Sequence, residues 1–330
     1  MTKLALSLAT GYYDRVMPLR LGEVEAEGIE LNHQLMPVED VFWRMVRHQE
    51  FEAAEMSLGA YLTLVGSGDP PFIAIPVFPS KFFRHSCVFV HTHAGLKRME
   101  DLRGRRVGVP EYAMTAIVWL RGILHHDHGV SPDQVTWLRG GLNTPGRIEK
   151  VEFKIPANIR LEELPAGKTL SAMLESGELD AAFCARAPDS FLNGSPNVGR
   201  LFPNAKEVEQ AYYRRTGIHP IMHTVVIRRP VYERNRWVAQ SLYRAFAKSR
   251  ELAYNRLHDS SALSVMLPWM IAEAEEARRF FGDNYWAYGV GPNRTALETF
   301  TQYVFEHGIT PRKIEVDSLF APETLDHTII

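Results

Sequence analysis

The side chains of this 330-residue chain best suited to chemistry fall in a few short segments. Arg84 and His85 sit between Phe82-Phe83 and Ser86. A guanidinium there can grip a carboxylate through its planar fork, and the phenylalanines can pack a ring. Arg186, inside Cys-Ala-Arg-Ala-Pro at 184–188, is a second candidate cation. His219 and His223 lie four apart around Pro220. Histidine titrates near neutral pH, so either can serve as a general acid or base. Tyr12, Tyr13, Asp14 and Arg15 offer hydroxyls and charge, Glu55 a possible base, and Glu111, Tyr112 and Thr115 further polar groups. Each has a structural alternative: a salt-bridged hinge at Arg84-His85, a solvated loop charge at Arg186, hydrogen-bonded core histidines, tyrosines covering a hinge, or an N-cap at Ser57.

These residues follow or join elements that the hydrophobic pattern defines. Short apolar runs alternate with amphipathic segments, the signature of an α/β protein with largely parallel sheets. Strands are predicted at Lys3–Leu8, Ile29–Met36, Glu52–Met56, Phe72–Val77, Cys87–His91, Arg106–Val109, Val135–Leu138, Val151–Ile155, Leu179–Cys184 and His223–Ile227. Helices are predicted at Val38–His48 and Tyr112–His126, with three longer ones over Tyr232–Leu257, Ser261–Phe281 and Asn293–Glu306. Residues 45–54 (MVRHQEFEAA) match 173–182 (MLESGELDAA) at a constant offset of 128, which suggests a duplicated helix–turn–strand unit. Two such lobes, joined near Pro79–Cys87 and Thr216–His223, describe a hinged architecture: residues 1–85 with 221–330 in one lobe, and 86–220 in the other. A ligand would lie between them, outside the carboxyl ends of the strands, where helix N-termini favour anions. The segments following those strand ends are 11–15, 37–39, 55–58, 79–85, 110–115 and 183–188, and apart from His219 and His223 at the return crossover they hold the candidates above.

Composition narrows the function classes. Lys+Arg number 37 against 39 Asp+Glu, so the chain lacks the basic excess that binding nucleic acid demands. A small molecule is the expected partner. Cys87 and Cys184 form no CxxC pair. The apolar run 4–9 is too short for a secretory leader and meets Tyr12-Tyr13-Asp14-Arg15 where a cleavage site would stand, so a cytoplasmic protein without membrane spans is expected. The run His125-His126-Asp127-His128 and the pair His91/His93 invite a metal reading. On a helix only His125 and His128 share a face, and the position before Gly129 suits cations at a helix C-terminus, so no metal is expected. No GxGxxG, P-loop, HExxH or GxSxG motif occurs. The three C-terminal helical patterns could form a homo-oligomer contact, though nothing in them demands one.

The segments DLRGRRVGVPEY (101–112), GELDAAFCARAP (177–188) and HTVVIRRPVYERN (223–235) resemble the type II periplasmic-binding-protein superfamily, in its branch that binds thiamine precursors and sulfonates. FPSKFFRHS (78–86), GIHPIMH (217–223) and LATGYYDR (8–15) are similar to the 4,5-dihydroxyphthalate decarboxylase family, a resemblance spanning nearly the whole chain. It implies a two-lobed type II periplasmic-binding-protein-like fold, with mixed sheets flanked by helices and two crossover segments as hinge. It also implies cofactor-free removal of one carboxylate from an aromatic dicarboxylate. On that footing Arg84 and Arg186 would orient the carboxylates, and His85, His219 or His223 would supply a proton. Glu55 or Tyr12 would handle a hydroxyl, while Tyr13, Arg15, Ser57, Phe82, Phe83, Glu111, Tyr112 and Thr115 would line the site. Because one fold hosts both roles, a non-catalytic sensor of a small aromatic acid is the alternative.

Overall fold

The computed structural model describes residues 2–325. The chain begins with strands β1 (Leu4–Thr10), β2 (Ile29–Leu35), β3 (Ala53–Ser57) and β4 (Phe72–Ile75). It continues with β5 (Val88–His91), β6 (Arg106–Val109), β7 (Thr136–Arg139), β8 (Arg160–Glu163), β9 (Ala181–Phe183) and β10 (Val198–Arg200), then returns with β11 (His223–Arg228). These form two mixed sheets, β2-β1-β3-β11-β4 and β10-β5-β9-β6-β7-β8.

The weak internal repeat is written into the topology. β3 lies between parallel β1 and antiparallel β11, and β9 lies between parallel β6 and antiparallel β5. The matching pairs Ala53/Ala181 and Ala54/Ala182 thus occupy equivalent central strands, where small side chains let helices pack closely. The helix preceding each strand ends at equivalent positions, Gln49 (φ 48°) and Gly177 (φ 79°), both in the left-handed region. Gln49 is the one non-glycine residue with positive φ among those described. A side chain there is strained by roughly 1–2 kcal/mol. Gln49→Gly should therefore raise stability by about 0.5–1 kcal/mol once the added freedom of the unfolded chain is subtracted. Urea unfolding at an unchanged m-value checks this.

The chain passes between the sheets at 76–87 and 201–222. The two crossovers pair with each other: Met222 N donates to Ser80 O (2.8 Å), Phe82 N donates to Pro220 O (2.9 Å), and Lys81 and Ile221 form an antiparallel bridge. Trp119 of the helix Thr115–His128 fastens this ladder by donating from Nε1 to Ile221 O (2.9 Å). One continuous apolar cluster runs through both sheets, and a smaller one underlies β9 and the helix Leu170–Ser176. No helix among the described residues is long and apolar enough to cross a membrane.

Several elements differ from expectation. Val151–Ile155 forms no strand, because Glu149 and Lys150 just before it are tied into buried ion pairs and Pro156 lacks an N–H; the strand pairing with β7 is Arg160–Glu163. The helix expected from Tyr112 begins at Thr115, since Tyr112 N and Ala113 N donate to the Glu149 carboxylate. That expected over Ser261–Phe281 starts at Met270, just past Pro268, and that over Tyr232–Leu257 is broken at Asn235 into Arg229–Arg234 and Trp237–Leu257. The helix Ala205–Thr216 and the short strand β10 carry too little apolar periodicity to be expected.

Candidate functional site

β3 and β11 run antiparallel, with Ser57 opposite His223 and Glu55 opposite Val225. Glu55 is completely buried. Its Oε2 accepts from Gly11 N (2.8 Å), and its Oε1 is paired with the Tyr13 hydroxyl (2.8 Å) and His223 Nδ1 (2.6 Å). Burial alone would push the Glu55 carboxyl up, but the His223 pair and the Gly11 and Tyr13 hydrogen bonds hold it below the usual carboxylate value. An ionised Glu55 only accepts, so Nδ1 of His223 carries hydrogen and Nε2 is the ring atom left for a ligand. The His223 side chain is 15% exposed, and its ring meets Phe42 edge-on at 4.8 Å. Burial, reinforced by Glu55, raises the Tyr13 phenol so that it remains a donor. Arg15 is sandwiched between the rings of Tyr13 and Trp286, 4.3 Å from each, with Nε on Pro79 O (2.6 Å). Arg15 therefore clamps the wall behind the pair.

Arg84 lies on the outgoing crossover and is 8% exposed. Its Nε contacts Met222 Sδ (3.0 Å) and its Nη1 donates to Ala185 O (3.3 Å); Cys87 Sγ lies at 3.7 Å, and the Phe82 ring at 4.7 Å. Among the described residues no carboxylate lies within ion-pair distance of Arg84. A buried guanidinium held by sulfurs and one carbonyl keeps strong donor capacity for an anion. Met222 links the two features, since its sulfur meets Arg84 and the next residue is His223.

Ala185 also leads to Arg186, which lines a cleft of about 360 Å³ with Pro110, Met114, the 141–147 loop and Glu39. Apart from Glu39, these groups follow the carboxyl ends of β6, β7 and β9, the place where α/β sheets bind ligands. Ser57 does not cap its helix. Its hydroxyl bonds Thr115 Oγ1 (2.9 Å), and Thr115 instead accepts from Gly59 N (2.8 Å). A Cβ on Gly59 would sit 2.4 Å from Ala113 O, so only glycine allows these segments so close.

Across the mouth, Arg147 pairs with Glu39 (2.8 Å) and Glu111 (2.5 Å), and Lys150 with Glu39 (2.9 Å) and Glu111 (2.6 Å). Sequence reasoning placed Glu39 in a strand-end segment facing the cleft but missed Arg147 and Lys150. The available signal was two cations three residues apart just after the Pro145-Gly146 turn. Glu111 is thus committed to ion pairs, and Tyr112 is fully buried under the Arg121 guanidinium (3.5 Å), inside the core and away from the cleft.

Two expected histidines are placed elsewhere. His85 packs against Tyr212 (5.2 Å) and Phe202 (5.8 Å), and burial lowers it to about 4. His219 stacks on Phe83 (4.8 Å) and Phe281 (5.6 Å), and burial together with Lys81 lowers it to about 3. Both are neutral near pH 7 and make poor acids there. Phe83 faces this aromatic cluster, whereas Phe82 lies under Arg84 and is 47% exposed. Tyr12 is 67% exposed and bonds Leu35 O (3.1 Å). Its neighbour Tyr13 is the tyrosine that reaches Glu55.

His33, likewise lowered to about 4 by burial, joins His85 and His219 as an imidazole that protonates more readily unfolded than folded. Their stabilisation is complete above the unfolded value near 6.5 and is lost as pH falls toward 4, by roughly 1.4 kcal/mol per pH unit for each. Urea midpoints should drop steeply from pH 7 to pH 5, and less so in His85→Gln.

The histidine run also departs from expectation. The His125 and His126 rings lie 4.7 Å apart, His126 bonds Glu306 (2.6 Å), and His128 bonds Glu100 (3.0 Å). His125, His126 and Glu306 could together hold a metal ion, at a largely exposed position.

No family model matches the chain. It is 38% identical over 326 residues to a 4,5-dihydroxyphthalate decarboxylase of Comamonas testosteroni, covering 99% of both chains. It is 43% identical over 214 residues to another of that name from Pseudomonas putida, covering 65% of this chain and 83% of the relative. Among solved structures, the periplasmic aliphatic sulphonate binding protein SsuA of Escherichia coli superposes with a TM-score of 0.53 at 13% identity, covering 97% of this chain and 98% of that one. That likeness is one of fold, and the fold is periplasmic-binding-protein-like.

Proposed function

The chain belongs to the family of 4,5-dihydroxyphthalate decarboxylases, and we propose that its cleft carries out this reaction with Arg84 and Arg186 as carboxylate anchors and His223 as the acid. The product is 3,4-dihydroxybenzoate, with carbon dioxide. The observations that carry the assignment are a buried arginine held by the Met222 sulfur, with no carboxylate within ion-pair distance among the described residues, and a histidine at the next position, 223, held by a buried carboxylate.

Aromatic decarboxylation is difficult because the electron pair left behind would lie in the ring plane. A hydroxyl para to the leaving carboxylate removes the difficulty by raising electron density at the carboxylated carbon. In its protonated form His223 delivers the Nε2 proton to that carbon. The ring–carboxylate bond then breaks, its electrons restore the aromatic sextet, and carbon dioxide departs. Substrate dianion plus one proton gives product monoanion plus carbon dioxide, and solvent reprotonates His223. Glu55 is a positioning residue: its three partners leave it no role as a base toward a hydroxyl, and its bond to Nδ1 fixes the ring with Nε2 free. Phe82 offers a ring face beneath Arg84, and closure of the cleft strengthens these electrostatic contacts by excluding water.

Purified protein mixed with 4,5-dihydroxyphthalate should generate the spectrum of 3,4-dihydroxybenzoate. An unchanged spectrum, with or without added divalent metal, would remove the enzymatic reading. The names of the relatives do not favour a protein that binds without reacting. Plain phthalate keeps both carboxylates but lacks the para hydroxyl. It should bind yet react at least about 10²-fold more slowly, equivalent to roughly 2.7 kcal/mol of barrier; turnover at a comparable rate contradicts the chemistry.

A further inference from the structure

Behind the paired crossovers lies a second cavity, of about 220 Å³, that the decarboxylation chemistry leaves unused. Lys81 enters it from the outgoing crossover, through its bridge to Ile221. Phe82 lies under Arg84, whereas Lys81 reaches Asn293 Oδ1 (2.5 Å) and the Phe78 ring (5.9 Å). Lys81 is 6% exposed, and among the described residues no carboxylate lies within ion-pair distance of its ammonium. An ammonium offers three donors, and a buried one without an anion is unfavourable. Burial, with Arg250 nearby, lowers Lys81 to about 7.

His219 lines the same cavity. Its Nδ1 is buried and has no hydrogen-bond partner, while the Tyr285 backbone takes the other ring nitrogen. A neutral imidazole has a single N–H. With that N–H spent on Tyr285, Nδ1 is an acceptor awaiting a hydroxyl. Tyr213, Phe281 and Tyr285 supply aromatic walls. The volume is below the roughly 300–1,000 Å³ of sites for drug-sized ligands, so the occupant is small.

We propose that this rear cavity binds a hydroxylated aromatic monocarboxylate, with its carboxylate on Lys81, a hydroxyl on His219 Nδ1 and its ring among Tyr213, Phe281 and Tyr285. A dicarboxylate is disfavoured, because its second charge would enter a cavity with one lysine to meet it. The product of the reaction proposed above belongs to this class. That link rests on the proposed function, whereas the site itself does not. Since Lys81 sits on the hinge ladder, its occupant would touch the segment about which the cleft closes.

The test is calorimetric, with full-length protein held in saturating phthalate to fill the cleft and 3,4-dihydroxybenzoate as titrant. One further equivalent should bind. Lys81→Gln should abolish this uptake, Lys81→Arg should retain it, and Arg84→Gln should leave it unchanged. His219→Phe keeps the ring stack but loses the acceptor. It should weaken 3,4-dihydroxybenzoate about tenfold while sparing benzoate, and this comparison decides the matter if Lys81→Gln does not fold. Absence of uptake over phthalate, uptake indifferent to Lys81→Gln, or equal loss of both acids in His219→Phe would overturn the proposal. None of these results depends on whether the protein turns over substrate.

Discussion

His223→Gln is expected to lower kcat by about 10²–10⁴-fold, the usual contribution of a general acid, with little change in KM. The reason is geometric. Nδ1 is spent on Glu55 at 2.6 Å, so every proton that reaches the substrate from this ring leaves through Nε2. Glutamine can still bond Glu55 but has no titratable proton to offer. Glu55→Gln supplies the contrast that separates positioning from structure. It replaces the carboxylate that only accepts from Nδ1 with an amide that can also donate, so the ring is no longer fixed with Nε2 toward the ligand, and it should lower kcat, though less than His223→Gln does, with little change in KM. A purely structural carboxylate would change stability and leave kcat and KM unmoved. His85→Gln should leave kcat within a few-fold, because its ring lies against Tyr212 and Phe202.

Arg84→Met should reduce kcat/KM by about 10²–10³-fold, the effect of roughly 3–4 kcal/mol lost at a buried charge pair. The same substitution should leave the unliganded protein as stable or make it more so, because a buried guanidinium with no carboxylate within ion-pair distance among the described residues gives way to an apolar side chain among Met222, Cys87 and Phe82. Opposite signs for function and stability mark a residue kept for its ligand. Arg84→Lys should recover little, since a point charge cannot reproduce the planar fork. Thermal unfolding and steady-state kinetics on the same preparations check both signs. Arg186 is more exposed, and its loss should be felt less.

Much of this architecture was legible because hydrophobic period and small-residue pairs encode it directly. β6 and the helix Val38–His48 were predicted with the bounds the structure has. The offset of 128 residues found in the sequence marks two strands with the same neighbours in their sheets. Where expectation failed, long-range groups had overridden local pattern. The Glu149 carboxylate holds Tyr112 and Ala113 out of a helix, and the ion pairs of Lys150 draw an apolar run out of a sheet. In the site, residue types gave the candidates but could not rank them. His85, His219 and His223 are equivalent in sequence. They are separated by their surroundings: two are packed among aromatic rings, where burial disfavours charge, and one is hydrogen-bonded to a buried carboxylate. The roles of Tyr12 and Tyr13 depend on which ring turns toward β3, a matter of strand-end geometry that adjacent identical residues do not disclose.

The central claim is that a dicarboxylate lies in the cleft with Arg84 and Arg186 on its two acid groups and Nε2 of His223 facing the carbon that loses one of them. A crystal structure of the slow His223→Gln variant soaked with 4,5-dihydroxyphthalate tests it most directly. The account predicts one carboxylate on the Arg84 fork, the other toward Arg186, and the carboxylated ring carbon about 3–3.5 Å from the amide of residue 223. A ligand held instead by Arg147 and Lys150, with Arg84 untouched, would contradict it.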